Sequence, residues 1–224
     1  MKVMAFDLSS VCIGVTTASL NEDKITKIKT APIIPRRITP DELGFLKSRK
    51  KLKTKNGELL NSYAYPGEES ISFAEKKRRD VFVRNETNKK VLFEISTSLN
   101  RSISTIKPDI ILAEKNEIFR GVLTSVLLGK VMGILIGTSA ANGIEVEEHK
   151  VQVVRSILEY NMLYENLRKK LTTEEIMQLP DVTKRAINVY LSELYGVHTL
   201  TDDESDSLAV FHYWYTQKYL RRRR

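Results

Sequence analysis

KVMAFDLSSVCIGVTTAS, residues 2–19, contains two apolar runs with a short polar break between them. The first run ends in Asp7, and the second, at 11–19, is rich in β-branched residues. Because the break is short and carries two serines, the pair predicts an antiparallel β-hairpin. A third strand is predicted at 24–34, and Pro35 closes it.

Beyond an aperiodic stretch at 36–70, helical and strand patterns alternate. IILAE, 110–114, is a continuous apolar run that ends in Glu114, as is typical of a strand buried on both faces. IEVEE, 144–148, alternates apolar and acidic residues and predicts another strand. Helices are predicted at 71–106, 122–141, 150–170, 171–180, 182–195 and from Thr201 onward.

This order of elements predicts an α/β fold with a mixed five-stranded sheet. An antiparallel hairpin leads the sheet, parallel strands follow it, and helices flank both. We expect one domain over residues 1–224, with insertions at about 36–70 and 156–180.

The charge of the chain favours a polyanionic partner. Its 36 Lys and Arg residues exceed its 28 Asp and Glu residues, and the formal net charge is +8. Nucleic acid and an acidic membrane surface both fit that excess.

Lys130 and the glycines within the apolar stretch 122–141 favour a buried helix over a membrane span. The single cysteine, Cys12, excludes an internal disulfide, and with no signal-peptide pattern we expect a cytoplasmic protein without a membrane partner.

Asp7 and Glu114 both lie at the ends of apolar strands. A carboxylate there is costly unless it is paired, protonated or bound to a metal ion. Open α/β sheets also bind their ligands beyond the carboxyl ends of strands. These two acids are therefore candidates for one site.

The last predicted helix adds two more acids. Thr201 and Glu204 have the spacing of a capping box, which gives Glu204 a structural role. Asp203 and Asp206 are three residues apart and share one helix face. Acids near a helix N-terminus also complement the helix dipole, but this accounts less well for Asp206, which lies a turn further in.

Five segments in this order carry a family resemblance: FDLSSVCIGV at 6–15, PDIILAE at 108–114, LGKVMGIL at 128–135, HKVQVV at 149–154 and DESDSLAVF at 203–211. The sequence resembles the RuvC family of Holliday junction resolvases, which have the RNase H-like fold. The resemblance implies that Asp7, Glu114, Asp203 and Asp206 bind metal and catalyse hydrolysis, and that Lys150 is a catalytic basic residue.

The resemblance also implies the chemistry and the substrate. Four carboxylates suit Mg²⁺, with Mn²⁺ as a substitute, and two such ions support an in-line displacement at phosphorus. The expected activity is that of an endodeoxyribonuclease that resolves four-way DNA junctions by paired nicks, leaving 5′-phosphate and 3′-hydroxyl ends. Such a junction is nearly two-fold symmetric, so we expect a homodimer.

The sequence departs from the family pattern at two places. Bacterial relatives have an aromatic residue three places after the second acid, where this chain has Glu117. Phe119 is the nearest aromatic side chain. Its role is either that of a wedge against DNA bases or that of a core residue. The insertions suggest a diverged member from a virus or phage.

Clusters of basic residues are candidates for contacts with DNA phosphates. The run 47–55 has the composition of a solvated loop or of a DNA-contacting arm, and the tail 221–224 is also basic. The candidate residues are Lys47, Arg49, Lys50, Lys51, Lys53, Lys76, Lys77, Arg78 and Arg79.

Three other functions stay open: a nuclease that acts on flaps, forks or hybrids, an inactive protein that binds DNA structures, and an actin-like ATPase. The ATPase fits least, because the chain has 10 glycines and no second copy of the opening hairpin. The stripe Gly129, Gly133 and Gly137 fits either a dimer interface or a helix packed tightly on its own sheet.

Overall fold

The computed structural model describes residues 1–9, 12–22, 24–35, 39, 42, 73–115, 122–150, 152–158, 184–198 and 201–222. The chain divides into two compact units, and each is described by itself. One consists of Met1–Ile34 and Ser96–Arg224, and the other is Pro35–Ile95. The single-domain expectation stays a prediction.

Five strands form one mixed sheet in the order β3-β2-β1-β4-β5. The first three strands pair antiparallel, and β4 pairs parallel with both β1 and β5. This is the RNase H-like α/β arrangement that the sequence predicts. The strands are β1 (Lys2–Asp7), β2 (Ile13–Asn21), β3 (Lys24–Ile33), β4 (Ile110–Lys115) and β5 (Val146–Lys150).

The helices confirm most of the predicted boundaries within the described residues. They are α1 (Phe73–Ile106), α2 (Val122–Ala141), α3 (152–158), α4 (Lys184–Tyr195) and α5 (Asp202–Tyr213), which continues as a π-helical segment (Trp214–Tyr219) and a final turn, α6 (Leu220–Arg222). The predicted helix at 171–180, most of the helix at 150–170 and most of the insertion at 36–70 lie outside the described residues.

β5 begins two residues later than predicted. Gly143 has a positive φ of 69° and the Ile144 amide donates back to the Ser139 carbonyl at 3.0 Å. The turn after α2 therefore uses the first residues of the predicted strand, and the chain reaches the sheet only at Val146.

One face of the sheet packs against α5. Val3 and Ala5 of β1 and Leu112 of β4 join Leu208 and Phe211 of α5 in a single apolar cluster. The residues between them along β1 and β4 point to the opposite face, because side chains alternate along a strand. Met4, Phe6 and Ile111 there have no exposed surface, so the centre of the sheet is covered on both sides.

Helix α2 is buried on one face only, which differs from the fully buried helix that its composition suggests. Val131, Met132 and Leu135 are buried, whereas the glycine stripe is exposed. A β-carbon added at Gly129, Gly133 or Gly137 would meet nothing within 4 Å. In the part of the chain that the structure describes, no helix is long and apolar enough to cross a membrane.

Candidate active site

Asp7 and Glu114 are brought together by the parallel pairing of β1 and β4. Phe6 and Ala113, the residues just before them, are partners in this pairing. The two carboxyl side chains hydrogen-bond to each other. Two carboxyl groups can share a hydrogen bond only if one of them carries a proton, and the raised pKa of Asp7 makes it the donor.

The N-terminus of α5 carries the other two acids. Thr201 caps the helix: its hydroxyl accepts from the Glu204 amide at 3.2 Å, and the Glu204 carboxylate accepts from the Thr201 amide at 2.9 Å. This confirms the predicted capping box. Glu204 is buried in this role, while Asp203 and Asp206 on the same helix are half-buried.

Gly14 sets how closely α5 approaches the sheet. It is the partner of Asp7 in the pairing of β1 and β2. A β-carbon at this position would lie 1.7 Å from the Asp203 carbonyl oxygen. Only glycine lets the first turn of α5 lie directly on β2 at the level of Asp7. The role of Gly14 was not predicted from the sequence, although a glycine inside a β-strand often marks a close backbone approach.

A second contact holds the same helix in register with β2. The hydroxyl oxygens of Thr16 and Ser207 lie 2.8 Å apart in the buried interface. Ser207 also donates to the Glu204 carbonyl at 2.7 Å. A buried hydroxyl needs a partner, so this pair stabilises one position of α5 along the strand.

The environment of Asp7 shows that the four acids interact. Its side chain is 8% exposed. Burial, the hydrogen bond with Glu114 and the negative charges of Glu114, Asp206 and Asp203 raise the pKa of Asp7 to about 10. The structure therefore brings together all four acids that the sequence singled out, and their catalytic and metal-binding roles stay predictions.

The donor set of this carboxylate cluster fits a hard divalent cation. Mg²⁺ prefers oxygen ligands and keeps part of its water shell, so it needs few direct protein contacts. No group of three or more His, Cys, Asp or Glu side chains among the described residues is arranged to hold a metal ion. Asp7, with its raised pKa, holds a proton in this cluster, and a bound cation would take the place of that proton.

Cys12 contacts the cluster through Asp203. Burial and a hydrogen bond between its thiol and the Asp203 carboxylate raise the pKa of Cys12 to about 11. The thiol is therefore neutral and acts as a donor to Asp203. The turn before it is held by the Ser9 hydroxyl, which accepts from the Cys12 amide at 2.9 Å. From the sequence, Cys12 indicated only that an internal disulfide is excluded, and its contact with Asp203 was not predicted.

The backbone places Lys150 on the face of the sheet opposite the acids. It ends β5 in register with Lys115, one residue beyond the pair formed by Glu114 and His149. Alternation along the strands therefore places Lys115 and Lys150 on the face opposite Glu114. Lys150 is exposed, and its catalytic role stays a prediction.

The predicted DNA-binding residues are only partly described. Lys77 and Arg78 are exposed and Lys76 is half-buried, all within the second compact unit. Arg79 is only 2% exposed, with its Nε 3.5 Å from an Asp80 carboxylate oxygen, and this burial disfavours a contact with DNA. The remaining candidates lie outside the described residues: Lys47, Arg49, Lys50, Lys51, Lys53 and Phe119.

Comparison with solved structures identifies the arrangement of these elements. RuvC of Thermus thermophilus in complex with a Holliday junction substrate aligns over 94% of this chain and 89% of its own, with a TM-score of 0.53 and 11% identity. The chain has the RuvC fold. A second structure of Thermus thermophilus RuvC aligns over 94% of this chain and 90% of its own, with a TM-score of 0.50 and 12% identity.

Sequence comparison adds no relative to this RuvC-like chain. No protein-family model matches it, and no curated protein matches it. At 11–12% identity, the similarity to RuvC establishes the fold. The chemistry of the site must be argued from its own residues.

Proposed function

We propose that this protein is a metal-dependent endonuclease that cuts the phosphodiester backbone of branched DNA. One observation carries the proposal: Asp7, Glu114, Asp203 and Asp206 meet on one face of the sheet, closely enough to raise the pKa of Asp7 to about 10. A cluster of this kind is unstable as four bare carboxylates and is suited to cation binding. Strongly shifted pKa values of this kind are typical of functional sites.

We infer that the cation is Mg²⁺, with Mn²⁺ as a substitute. A bound cation would supply positive charge for an in-line displacement at phosphorus and favour deprotonation of the attacking water. Asp7 would lose its proton, and Asp7 and Glu114 would coordinate the cation through oxygen. Asp203 and Asp206 would complete the ligand set from α5, while Gly14 and the capping box keep that helix in place.

The proposal of a branched substrate is supported by the fold. The RuvC structure with the higher TM-score contains a Holliday junction, and the present chain aligns with nearly all of it. The formal net charge of +8 favours a DNA partner. We propose a four-way junction as the preferred substrate, cut by paired nicks.

We further infer that the protein acts as a homodimer. Paired nicks on a nearly two-fold junction require two sites related by a two-fold axis. The exposed face of α2 fits such an interface, because its glycines leave room for a second helix. Val126 and Ile136 on the same face are 51% and 43% exposed, so a partner would also cover apolar surface.

A cleavage panel with and without Mg²⁺ tests the proposed function. It compares a four-way junction, a fork, a flap, a DNA–RNA hybrid and linear duplex, with nick positions mapped. We expect symmetric nicks on the junction, dependent on Mg²⁺ and lost in the variants Asp7→Asn and Asp206→Asn, both of which still bind the junction. Full activity in either variant would overturn the assignment of the site.

The other outcomes of the panel separate the competing functions. Nicks mainly at forks, flaps or hybrids would keep the chemistry and change the substrate. Binding without cleavage under any condition would favour an inactive protein that recognises DNA structure. ATP hydrolysis in the absence of DNA would favour an actin-like ATPase.

A further inference from the structure

Strand β3 carries a lysine-rich surface that is separate from the carboxylate cluster. It is an edge of the described sheet, and Lys24, Lys27 and Lys29 on it are exposed. Their partners on β2 are Asn21, Ser19 and Thr17, respectively. These partners are two residues apart, so all three lysines lie on one face of the sheet. We refer to this set as the β3 lysine row.

A β-bulge is what puts the three lysines on one face. Lys24 and Lys27 are three residues apart and would point to opposite faces in a regular strand. The register shifts between Ser19 and Leu20, which leaves Thr26 as an extra residue on β3. The bulge restores the common face, and bulges are often used to redirect side chains in this way.

The opposite side of β3 contributes to the apolar core. Ile25 and Ile28 pack against the cluster formed with α5. The strand therefore has one apolar face fixed by the core and one basic face toward solvent. This anchoring gives the lysine row a defined position, unlike a basic run in a loop.

The surroundings of the row are positive overall. Lys2 pairs with Ser19 on β1 and adds a fourth lysine to the same face. Among the described residues two acids border the row: Glu22 lies in the turn before β3, and the Asp109 carboxylate accepts from the Lys2 amide at 2.6 Å. Asp23, next to Lys24 in the sequence, is a third acid. Four lysines against three acids leave a net positive charge.

We propose that the β3 lysine row binds the phosphate backbone of a DNA duplex arm, a proposal that rests on the proposed action on DNA. The lysines follow one another at about 6.8 Å along the strand. Three flexible, positively charged side chains in a row of this length can contact several phosphates of one duplex backbone. Lysine contacts of this kind add affinity without reading sequence.

The row lies away from the carboxylate cluster, so it positions DNA without taking part in the reaction. Along the strand direction it begins three residues from the level of Asp7 and ends seven residues from it, or roughly 10–24 Å. Alternation also places it on the other face of the sheet. We expect the row to affect the binding of DNA and to leave the turnover of bound DNA unchanged.

An ordinary explanation of the row is protection of an edge strand, since lysines there prevent edge-to-edge aggregation. The two roles make different predictions for charge reversal. Glutamate protects an edge as well as lysine does but repels phosphate. Arginine keeps both properties.

The test measures binding of labelled linear duplex and four-way junction across a salt series. The variants are the triple changes Lys24, Lys27 and Lys29 to Gln, to Glu and to Arg, with the single change Arg155→Gln as a control at an exposed position on α3. The Gln variant should lower the salt slope by about 2–3 and weaken binding on the order of fiftyfold or more near 0.1 M salt. The Glu variant should bind more weakly still, and the Arg variant and the control should resemble the wild type.

Several outcomes would overturn the proposal. They are unchanged binding in the Glu variant, an equal loss in Arg155→Gln, or binding to phosphatidylserine vesicles that depends on the row as strongly as binding to DNA does. The result is independent of cleavage. If duplex binding depends on the row but no substrate is nicked, the binding proposal holds and the nuclease proposal fails. If the Glu variant nicks DNA and binds it with unaltered affinity, the nuclease proposal holds and the binding proposal fails.

Discussion

Asp7 shows at the scale of one residue why a metal-free site of this kind is unstable. A buried carboxyl group beside three other acids keeps its proton, and the pKa of Asp7 is raised from an ordinary value of 3.8 to about 10. Between these values the folded protein holds a proton that the unfolded chain releases. The free energy of unfolding therefore falls as the pH rises through this range.

The variant Asp7→Asn should remove that pH dependence. In EDTA we expect it to be more stable than the wild type at pH 8, by on the order of 1–3 kcal/mol, because the wild type must take up a proton at Asp7 when it folds and the variant does not. The difference should shrink as the pH falls toward 4. Urea unfolding followed by circular dichroism at several pH values measures this.

Added Mg²⁺ provides the control for that measurement. A ligand that binds only the folded state stabilises it, so Mg²⁺ should raise the wild-type stability more than that of Asp7→Asn. Parallel pH profiles of the two proteins in EDTA would contradict the environment described for Asp7. Equal stabilisation by Mg²⁺ would contradict its role as a ligand.

At the scale of elements, the site depends on how α5 lies on β2. Gly14→Ala would place a methyl group 1.7 Å from the Asp203 carbonyl oxygen, and this oxygen belongs to the helix backbone. The helix must therefore move. Overpacking of this kind costs about 1–3 kcal/mol of stability, whereas a displacement of about 1 Å at a catalytic group can reduce the rate on the order of a hundredfold.

We therefore expect Gly14→Ala to reduce the cleavage rate on the order of a hundredfold while the protein stays folded. The measurements are single-turnover cleavage of saturating junction and the midpoint of urea unfolding. Thr16→Ser is the matched control, because it changes the next residue on the same face of β2 and keeps the hydroxyl that faces Ser207 at 2.8 Å. A Gly14→Ala protein with wild-type activity would show that α5 tolerates the shift.

The same elements explain what the sequence could predict. The strands, most helix boundaries and the capping box follow from local patterns. Asp7 and Glu114 stood out because they lie at strand ends, and Asp203 and Asp206 because they share one face at the start of a helix. The contact of Gly14 with Asp203 joins residues almost 190 positions apart, and the bulge at Thr26 depends on pairing with β2. Neither leaves a periodic signal, so pattern analysis alone could not find them.

At the scale of the whole molecule, the proposed paired cleavage of a symmetric junction requires a second copy of the chain. The exposed face of α2 carries the three glycines and the apolar side chains of Val126 and Ile136, with one charge, Lys130, among them. The other face of this helix is in the core. A partner helix could approach closely at the glycines, and a large side chain there would keep it away.

The variant Gly133→Leu should therefore sediment as a monomer at concentrations at which the wild type sediments as a dimer. Gly133 is exposed, so leucine fits the folded monomer without a clash.

We expect each monomer to keep its carboxylate cluster and to nick single strands of the junction, but the two nicks should no longer be coupled in time. A plasmid with an extruded cruciform distinguishes these cases, because coupled nicks give linear product and separate nicks give an open circle. Ser104→Leu, which adds the same side chain at an exposed position of α1, should remain a dimer with coupled nicks. If the wild type itself sediments as a monomer while it produces linear product, α2 is not the interface and the pairing of nicks has another origin.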